Sequence, residues 1–138
     1  MTTKLLDSNV CIALLRGVPA IQERYASEAE RHTFVLSAIS VSELWYGVAK
    51  STQPDRHGDR LKQFLGSIET IDFDLDDARA AGQVRAQLSR RGAMIGANDL
   101  LIGSQALARG LPVVTGNVRE FSRIPGLAVE DWSRPQSE

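Results

Sequence analysis

The sequence predicts an α/β protein with three layers, α/β/α, in which helices cover both faces of a central parallel sheet of four to five strands. One observation and one rule of sheet topology predict this class. Short apolar runs typical of buried strands alternate along the chain with longer segments whose apolar residues recur at helical spacing. Parallel strands need crossover connections, and right-handed crossovers place their helices on the faces of the sheet.

The first third of the chain begins this alternation. Lys4–Leu6 is a mainly apolar run, and the polar residues Asp7–Asn9 then open a helix that extends to about residue 16. A second helix is predicted at about 19–31, and the β-branched, apolar run 33–36 is predicted to be a strand. The clearest amphipathic helix follows, with apolar residues at i, i+3, i+4 and i+7: Val41, Leu44, Trp45 and Val48.

The rest of the chain continues the pattern. Polar residues at 51–58 predict a turn, and apolar positions between 61 and 68 predict a helix after it. The remaining predicted elements are a strand at 70–73, a helix from about 78 to 90, a helix from about 98 to 109, a strand at 111–115 and an edge strand at 128–132. Gly92 and Gly110 are expected to end the two helices.

Length and composition indicate an ordinary globular protein. With 138 residues, 43% hydrophobic and 24% charged, the chain is expected to form a single domain over 1–138. A net charge of -1 excludes a uniformly basic nucleic-acid binder, but it allows a local basic rim beside an acidic pocket. The single cysteine, Cys11, lies in an apolar run and is expected to be a buried hydrophobe. No signal peptide or membrane span is evident, so a cytoplasmic protein is expected.

Three carboxylates, Asp7, Glu43 and Asp99, lie near predicted helix starts, and two interpretations compete for them. Each alone is well explained as a helix cap, and Ser40–Glu43 matches a capping box. However, polar residues follow several predicted strands, and the carboxyl ends of parallel strands meet at one edge of the sheet. Carboxylates gathered there would repel one another, and a divalent cation such as Mg²⁺ would relieve that repulsion and activate a water for phosphodiester hydrolysis.

Further residues are candidates for the same site. Asn117 would add a neutral oxygen or position a water, and the polar residues that could orient the carboxylates are Ser8, Asn9 and Thr115. Local turn or capping roles are the alternative for all four. A phosphate-binding rim needs cations, and Arg119 and Arg123 follow Asn117 closely in sequence.

Four motifs carry a resemblance to a known family over nearly the whole chain. They are LDSN at 6–9, SVSELWYG at 40–47, IGANDLLI at 95–102 and VTGNVREF at 114–121, the last followed by RIPGL at 123–127. In these motifs the chain resembles the PIN-domain ribonucleases, in particular the VapC-type toxins of bacterial toxin-antitoxin pairs. Each motif alone is weak, but four in the family's order and spacing make a strong signal.

The resemblance implies a metal-dependent endoribonuclease that uses Mg²⁺ or Mn²⁺, with Asp7, Glu43 and Asp99 as the acidic triad. Asn117 occupies the position of a fourth acidic residue, and Glu120 is either a further acid or a solvated charge on a helix face. Departures from the family's usual residues lie beside the triad, at Gly103, Ser104 and Gly116. The implied partners are RNA, most typically tRNA, a cognate antitoxin and a second copy of the chain in a homodimer.

Two apolar helix faces allow more than one interpretation. The face with Trp45, Tyr46 and Val48 and the one with Leu61, Phe64 and Leu65 would serve core packing, or would form the groove in which such toxins bind an antitoxin segment. The rival functions are a catalytically silent relative and a receiver-like Mg²⁺-binding module. A receiver would have a lysine after a late strand, and residues 115–117 contain none.

Overall fold

The protein has a central parallel sheet, seen in a computed structural model that describes residues 2–133. Its strands are β1 (Thr3–Leu6), β2 (Thr33–Ser37), β3 (Glu69–Ile71), β4 (Val113–Thr115) and β5 (Val129–Asp131). They lie in the order β3-β2-β1-β4-β5, and every strand pairing is parallel. The predicted class is confirmed, including the edge strand near residue 130.

Seven helices connect these strands in the described residues. They are α1 (Ser8–Leu15), α2 (Pro19–Ala29), α3 (Ala38–Ala49), α4 (Pro54–Leu65), α5 (Leu75–Arg90), α6 (Ala97–Arg109) and α7 (Val118–Phe121). Gly110 ends α6 in the left-handed conformation with φ 67°, as expected for a glycine that closes a helix. None of the helices in the described part of the chain is long and apolar enough to cross a membrane.

The core is divided between the two faces of the sheet because successive strand residues point in opposite directions. Leu6 packs with α1, α3 and α4 through a cluster that includes Cys11, Leu44 and Leu61. Leu5, the preceding residue, packs on the other face in a cluster with α6 and α7. This alternation gives the three layers. Cys11 is fully buried, as expected.

Three local predictions were wrong. The predicted turn at 51–58 is helical from Pro54. Pro54 is the first residue of α4, where the N–H that a proline lacks would have no partner within the helix. β3 covers Glu69–Ile71 and not 70–73, because its register is set by pairing with 35–37 of β2. β4 covers Val113–Thr115 and not 111–115. The short helix α7 was not predicted.

The strand order places a switch point between β1 and β4. From β1 the chain adds β2 and then β3 on one side, and later adds β4 and β5 on the other side. In open α/β sheets, binding sites form outside the carboxyl ends of the strands at such a point. The carboxyl end of β1 is followed by Asp7, and that of β4 by residues 116–117.

Candidate active site

Asp7 is held in place by a residue from the neighbouring strand. Leu6 pairs with Val114, so the residues after them, Asp7 and Thr115, lie side by side at the sheet edge. The Thr115 hydroxyl donates a 2.8 Å hydrogen bond to Asp7 Oδ2 and accepts one of 2.8 Å from the backbone N–H of Asn117. Asp7 stands at the N-cap of α1 but its side chain makes no capping hydrogen bond. Its carboxylate is therefore oriented by β4 and is not used as a helix cap.

Glu43 enters the site from the second turn of α3. The predicted capping box at 40–43 is wrong, because α3 begins earlier, and Ser37 caps it by accepting a 3.1 Å hydrogen bond from the Ile39 N–H. Glu43 instead accepts a 2.6 Å hydrogen bond from the Ser8 hydroxyl. Ser8 directly follows Asp7, so this bond ties Glu43 to the carboxyl end of β1.

Asp99 lies in the first turn of α6, where Gly96 occupies the N-cap. The Asn117 Nδ2 donates to Asp99 Oδ2 at 3.3 Å and to Glu120 Oε2 at 3.2 Å. Glu120, left undecided by the sequence, is thus brought to Asp99 by the short helix α7. The backbone N–H of Asn117 donates to Thr115. Asn117 therefore connects Asp99 and Glu120 to Thr115 and, through Thr115, to Asp7. The structure therefore gathers the predicted triad, Asn117 and Glu120 at one place.

The pKa values show that these carboxylates act on one another. The pKa of Asp99 is raised to about 7, first by burial, then by its hydrogen bond with Glu120 and by neighbouring negative charges. The pKa of Asp7 is also raised by burial, opposed by the Thr115 hydrogen bond, and the charges of Glu43 and Glu120 raise it further. The pKa of Glu120 is lowered, first by hydrogen bonding with Asp99 and then, against the effect of burial, by hydrogen bonding with Asn117. Burial and mutual repulsion therefore make it unfavourable for all of these carboxylates to be ionised together.

The donor set fits a hard divalent cation such as Mg²⁺. Carboxylate and amide oxygens are its preferred ligands, and their mutual repulsion is the kind that such a cation relieves. Within residues 2–133, no three His, Cys, Asp or Glu side chains already stand close enough to hold one ion between them. Mg²⁺ usually keeps several waters, so direct contact with every carboxylate is not needed.

The other predicted residues are placed less centrally. Asn9 is exposed, and in the described chain the hydrogen bonds to the carboxylates come from Ser8, Thr115 and Asn117. Arg119 is exposed on α7. Arg123 is half-buried, and its Nη1 donates a 2.9 Å hydrogen bond to the carbonyl of Met94. The roles predicted for Asn9 and the two arginines stay predictions.

Sequence reasoning missed one contributor, Gly96. A Cβ at this position would lie 3.7 Å from Asp99 Oδ2 and 3.9 Å from Glu120 Oε2. The backbone before α6 therefore passes directly beside both carboxylates. The available signal was a glycine three residues before Asp99 at a predicted helix start.

A groove of about 280 Å³ begins beside Glu43 and runs between α1, α3 and α4. Its apolar floor is formed by Ile12, Leu15, Leu44, Val48 and Leu61. Arg16, His57 and Arg60 line its polar side. On α3 nearby, Trp45 and Tyr46 are 36% and 66% exposed. The groove touches the acidic cluster only through Glu43.

Comparison with known proteins decides the family, because residues 4–127 match the PIN domain. The chain belongs to the PIN-domain family. The tRNA(fMet)-specific endonuclease VapC of Salmonella typhimurium is 41% identical to this PIN domain over 129 residues, which are 93% of this chain and 96% of that protein. The protein of the same name from Shigella flexneri is 38% identical over 130 residues, 94% of this chain and 97% of its own.

Solved structures support the same assignment. The PIN domain superposes with a TM-score of 0.89 on a chain of VapBC2 from Rickettsia felis, crystallised with a DNA fragment from its promoter. The two chains are 36% identical, and the match covers 95% of this chain and 99% of that one. These findings confirm the resemblance to the VapC-type ribonucleases and the three-layer fold.

Proposed function

We propose that this PIN domain is a metal-dependent endoribonuclease, the toxin of a toxin-antitoxin pair, and that it cleaves RNA phosphodiester bonds with a metal-activated water. The observation that carries the proposal is the convergence of Asp7, Glu43, Asp99 and Glu120 at the β1–β4 switch point, with the pKa of Asp99 raised to about 7. A purely structural set of caps would be spread over separate helix ends. The ribonuclease names of its relatives support the reaction class.

The metal would be Mg²⁺, with Mn²⁺ as a substitute, held by Asp7, Glu43 and Asp99, with Asn117 or Glu120 completing the site. When bound, it would supply an activated water and neutralise charge on the scissile phosphate. The chain's own residues orient the ligands: Ser8 fixes the Glu43 carboxylate and Thr115 fixes that of Asp7. Asn117 donates to both Asp99 and Glu120 and so holds these two carboxylates in place.

The proposed substrate is RNA, and tRNA is the proposed class because the two VapC relatives above are named for tRNA(fMet). Phosphate approaches a negatively charged pocket, so cations at the rim are required. Arg119 fits this role because it is exposed and lies two residues after Asn117. The guanidinium of Arg123, the other predicted cation, is engaged by the Met94 carbonyl.

The proposed partner is a cognate antitoxin, since the structural relative is a VapBC complex. We place an antitoxin segment in the groove between α1, α3 and α4, whose apolar floor ends beside Glu43. A segment seated there would reach the acidic cluster and restrain the nuclease. A homodimer and a cytoplasmic location are proposed from the resemblance to the same toxins.

The test is incubation of the purified protein, free of any partner, with total cellular RNA or tRNA in Mg²⁺ or in EDTA, followed by mapping of new ends. Cleavage is expected only with Mg²⁺ and should be lost in Asp7→Asn, Glu43→Gln and Asp99→Asn. Asp76→Asn is the matched control, because Asp76 is an exposed carboxylate at the start of α5. Cleavage that persists in EDTA or in Glu43→Gln would refute the mechanism. Mn²⁺ binding unchanged in both aspartate variants would refute the metal site.

A further inference from the structure

The helix that carries Asp99 begins without a cap of its own. Gly96 occupies the N-cap of α6 and has no side chain to accept from the first backbone N–H groups. The preceding loop, residues 91–96, bends through Gly92 at φ 63°, and Met94 is 43% exposed. The loop therefore leads into the turn that carries Asp99 without a side-chain cap at the helix start.

The segment at and after α7 supplies that support. The Arg123 guanidinium donates its 2.9 Å hydrogen bond to the Met94 carbonyl. Two residues further along the loop, Gly96 passes beside the Glu120 carboxylate, and a Cβ built there would be 3.9 Å from Glu120 Oε2. The loop is thus contacted on both sides of Ile95.

Apolar packing also joins the 91–96 loop to the segment after α7. Ile95 is 9% exposed and belongs to a buried cluster with Leu100 and Ile124, and Ile124 is the neighbour of Arg123. The Arg123–Met94 hydrogen bond therefore closes over an apolar contact between the same two segments. The guanidinium is a charged donor, and hydrogen bonds with a charged donor are stronger than neutral ones.

We propose that Arg123 is a positioning residue: it holds the 91–96 loop through the Met94 carbonyl and so places Asp99, and it does not bind RNA phosphate. This inference rests on the proposed function, since it concerns the metal site and the RNA rim described above. Arg119 is the natural comparison, because it is an exposed arginine of the same segment.

The experiment compares Arg123→Ala with Arg119→Ala in two assays. The first is Mn²⁺ binding to the protein alone, measured by calorimetry. The second is the salt dependence of tRNA binding in the Glu43→Gln background, which is expected not to cleave. Arg123→Ala should weaken Mn²⁺ binding by about tenfold, the lower end of the range seen when a residue that supports a metal ligand is lost, and should leave the salt slope unchanged. Arg119→Ala should leave Mn²⁺ binding unchanged and reduce the slope by about one.

Arg123→Gln tests the same idea with a milder change, because it keeps an N–H donor but removes the charge. A positioning role predicts an Mn²⁺ affinity between those of wild type and Arg123→Ala. A reduced salt slope in either Arg123 variant, with unchanged Mn²⁺ affinity, would overturn the proposal.

Amide hydrogen exchange separates this inference from the proposed function. Arg123→Ala should speed exchange at residues 95–100 relative to Arg119→Ala, whether or not the protein binds metal. Failure of the wild-type protein to bind Mn²⁺ would count against the proposed function alone. Unchanged exchange at 95–100 would overturn the positioning role.

Discussion

The Ser8 hydroxyl donates a 2.6 Å hydrogen bond to Glu43 Oε1 across 35 residues of sequence. Ser8 is buried and follows Asp7 directly, so two adjacent residues at the end of β1 serve the site in different ways. Asp7 contributes its own carboxylate, and Ser8 orients the Glu43 carboxylate, which comes from α3. This bond distinguishes Glu43 from a helix cap.

Removal of that hydroxyl is expected to disturb the metal site. Ser8→Ala should weaken Mn²⁺ binding or cleavage by roughly tenfold or more, the range seen when a residue that orients a metal ligand is lost. Ser8→Thr retains the hydroxyl and should stay close to wild type. Ser42→Ala is the control, since Ser42 is an exposed serine next to Glu43. Equal activity of Ser8→Ala and Ser42→Ala would contradict the orienting role.

Thr115 should matter for stability as well as for the site. Thr115→Val keeps the shape of the side chain but leaves Asp7 Oδ2 and the Asn117 N–H without their shared partner. Leaving such buried groups unpaired costs about 1 to 3 kcal/mol in the free energy of unfolding, measurable by urea titration. Thr115→Ser keeps the hydroxyl and should lose less. A serine variant less stable than the valine variant would show that the methyl group, and not the hydroxyl, is what counts.

Gly103 is expected to be needed because Ile124 leaves no room for a larger side chain, and a smaller residue at position 124 should remove that need. An alanine Cβ there would overlap Ile124 Cδ1 and lie 3.3 Å from Phe121 Cδ1. Gly103→Ala should therefore destabilise the protein, because overpacking costs about 1 to 3 kcal/mol and helix propensity returns only about 1. In the Ile124→Val background the overlapping atom is absent, and Gly103→Ala should become neutral or stabilising. The same loss in both backgrounds, by urea unfolding, would disprove this account.

Acid stability should depend on Asp77, which anchors α5 to α6. Burial favours a raised pKa for Asp77, but hydrogen bonds, the strongest from Arg109, lower it to about 2 from 3.8. Its folded pKa lies below its unfolded value, so the stabilisation is present above about pH 4 and is lost as the pH falls toward 2. By linkage the contribution is roughly 2 kcal/mol. The difference in unfolding free energy between wild type and Asp77→Asn should shrink over that interval, and a constant difference would exclude the linkage.

Much of the fold could be predicted because the buried strands are apolar by composition and the longer helices have clear periodicity. The errors arose where local pattern is ambiguous. Pro54 suits a turn and a helix start equally well, and α7 is too short to show any period. β3 has exposed residues, and only its pairing with β2 defines its ends.

The site could be predicted only in part, for a similar reason. Strand ends and the family resemblance pointed to Asp7, Glu43 and Asp99, but capping and metal binding could not be separated locally. What separates them is contacts distant in sequence, such as Ser8 with Glu43 and Thr115 with Asp7. The placement of Glu120 depends on the direction that α7 takes after β4. No local sequence pattern predicts that direction.

The strand order also has a consequence during synthesis of the chain on the ribosome. β1, β2 and β3 can pair as soon as the chain has emerged through β3. β1 gains its second neighbour, β4, only when residues 113–115 have been made. Asn117 and Glu120 follow still later. A nascent chain that ends before β4 therefore holds Asp7 without Thr115 and has no assembled carboxylate cluster. The proposed nuclease thus has no assembled metal site with which to attack the RNAs that surround it until β4 and α7 have been synthesised.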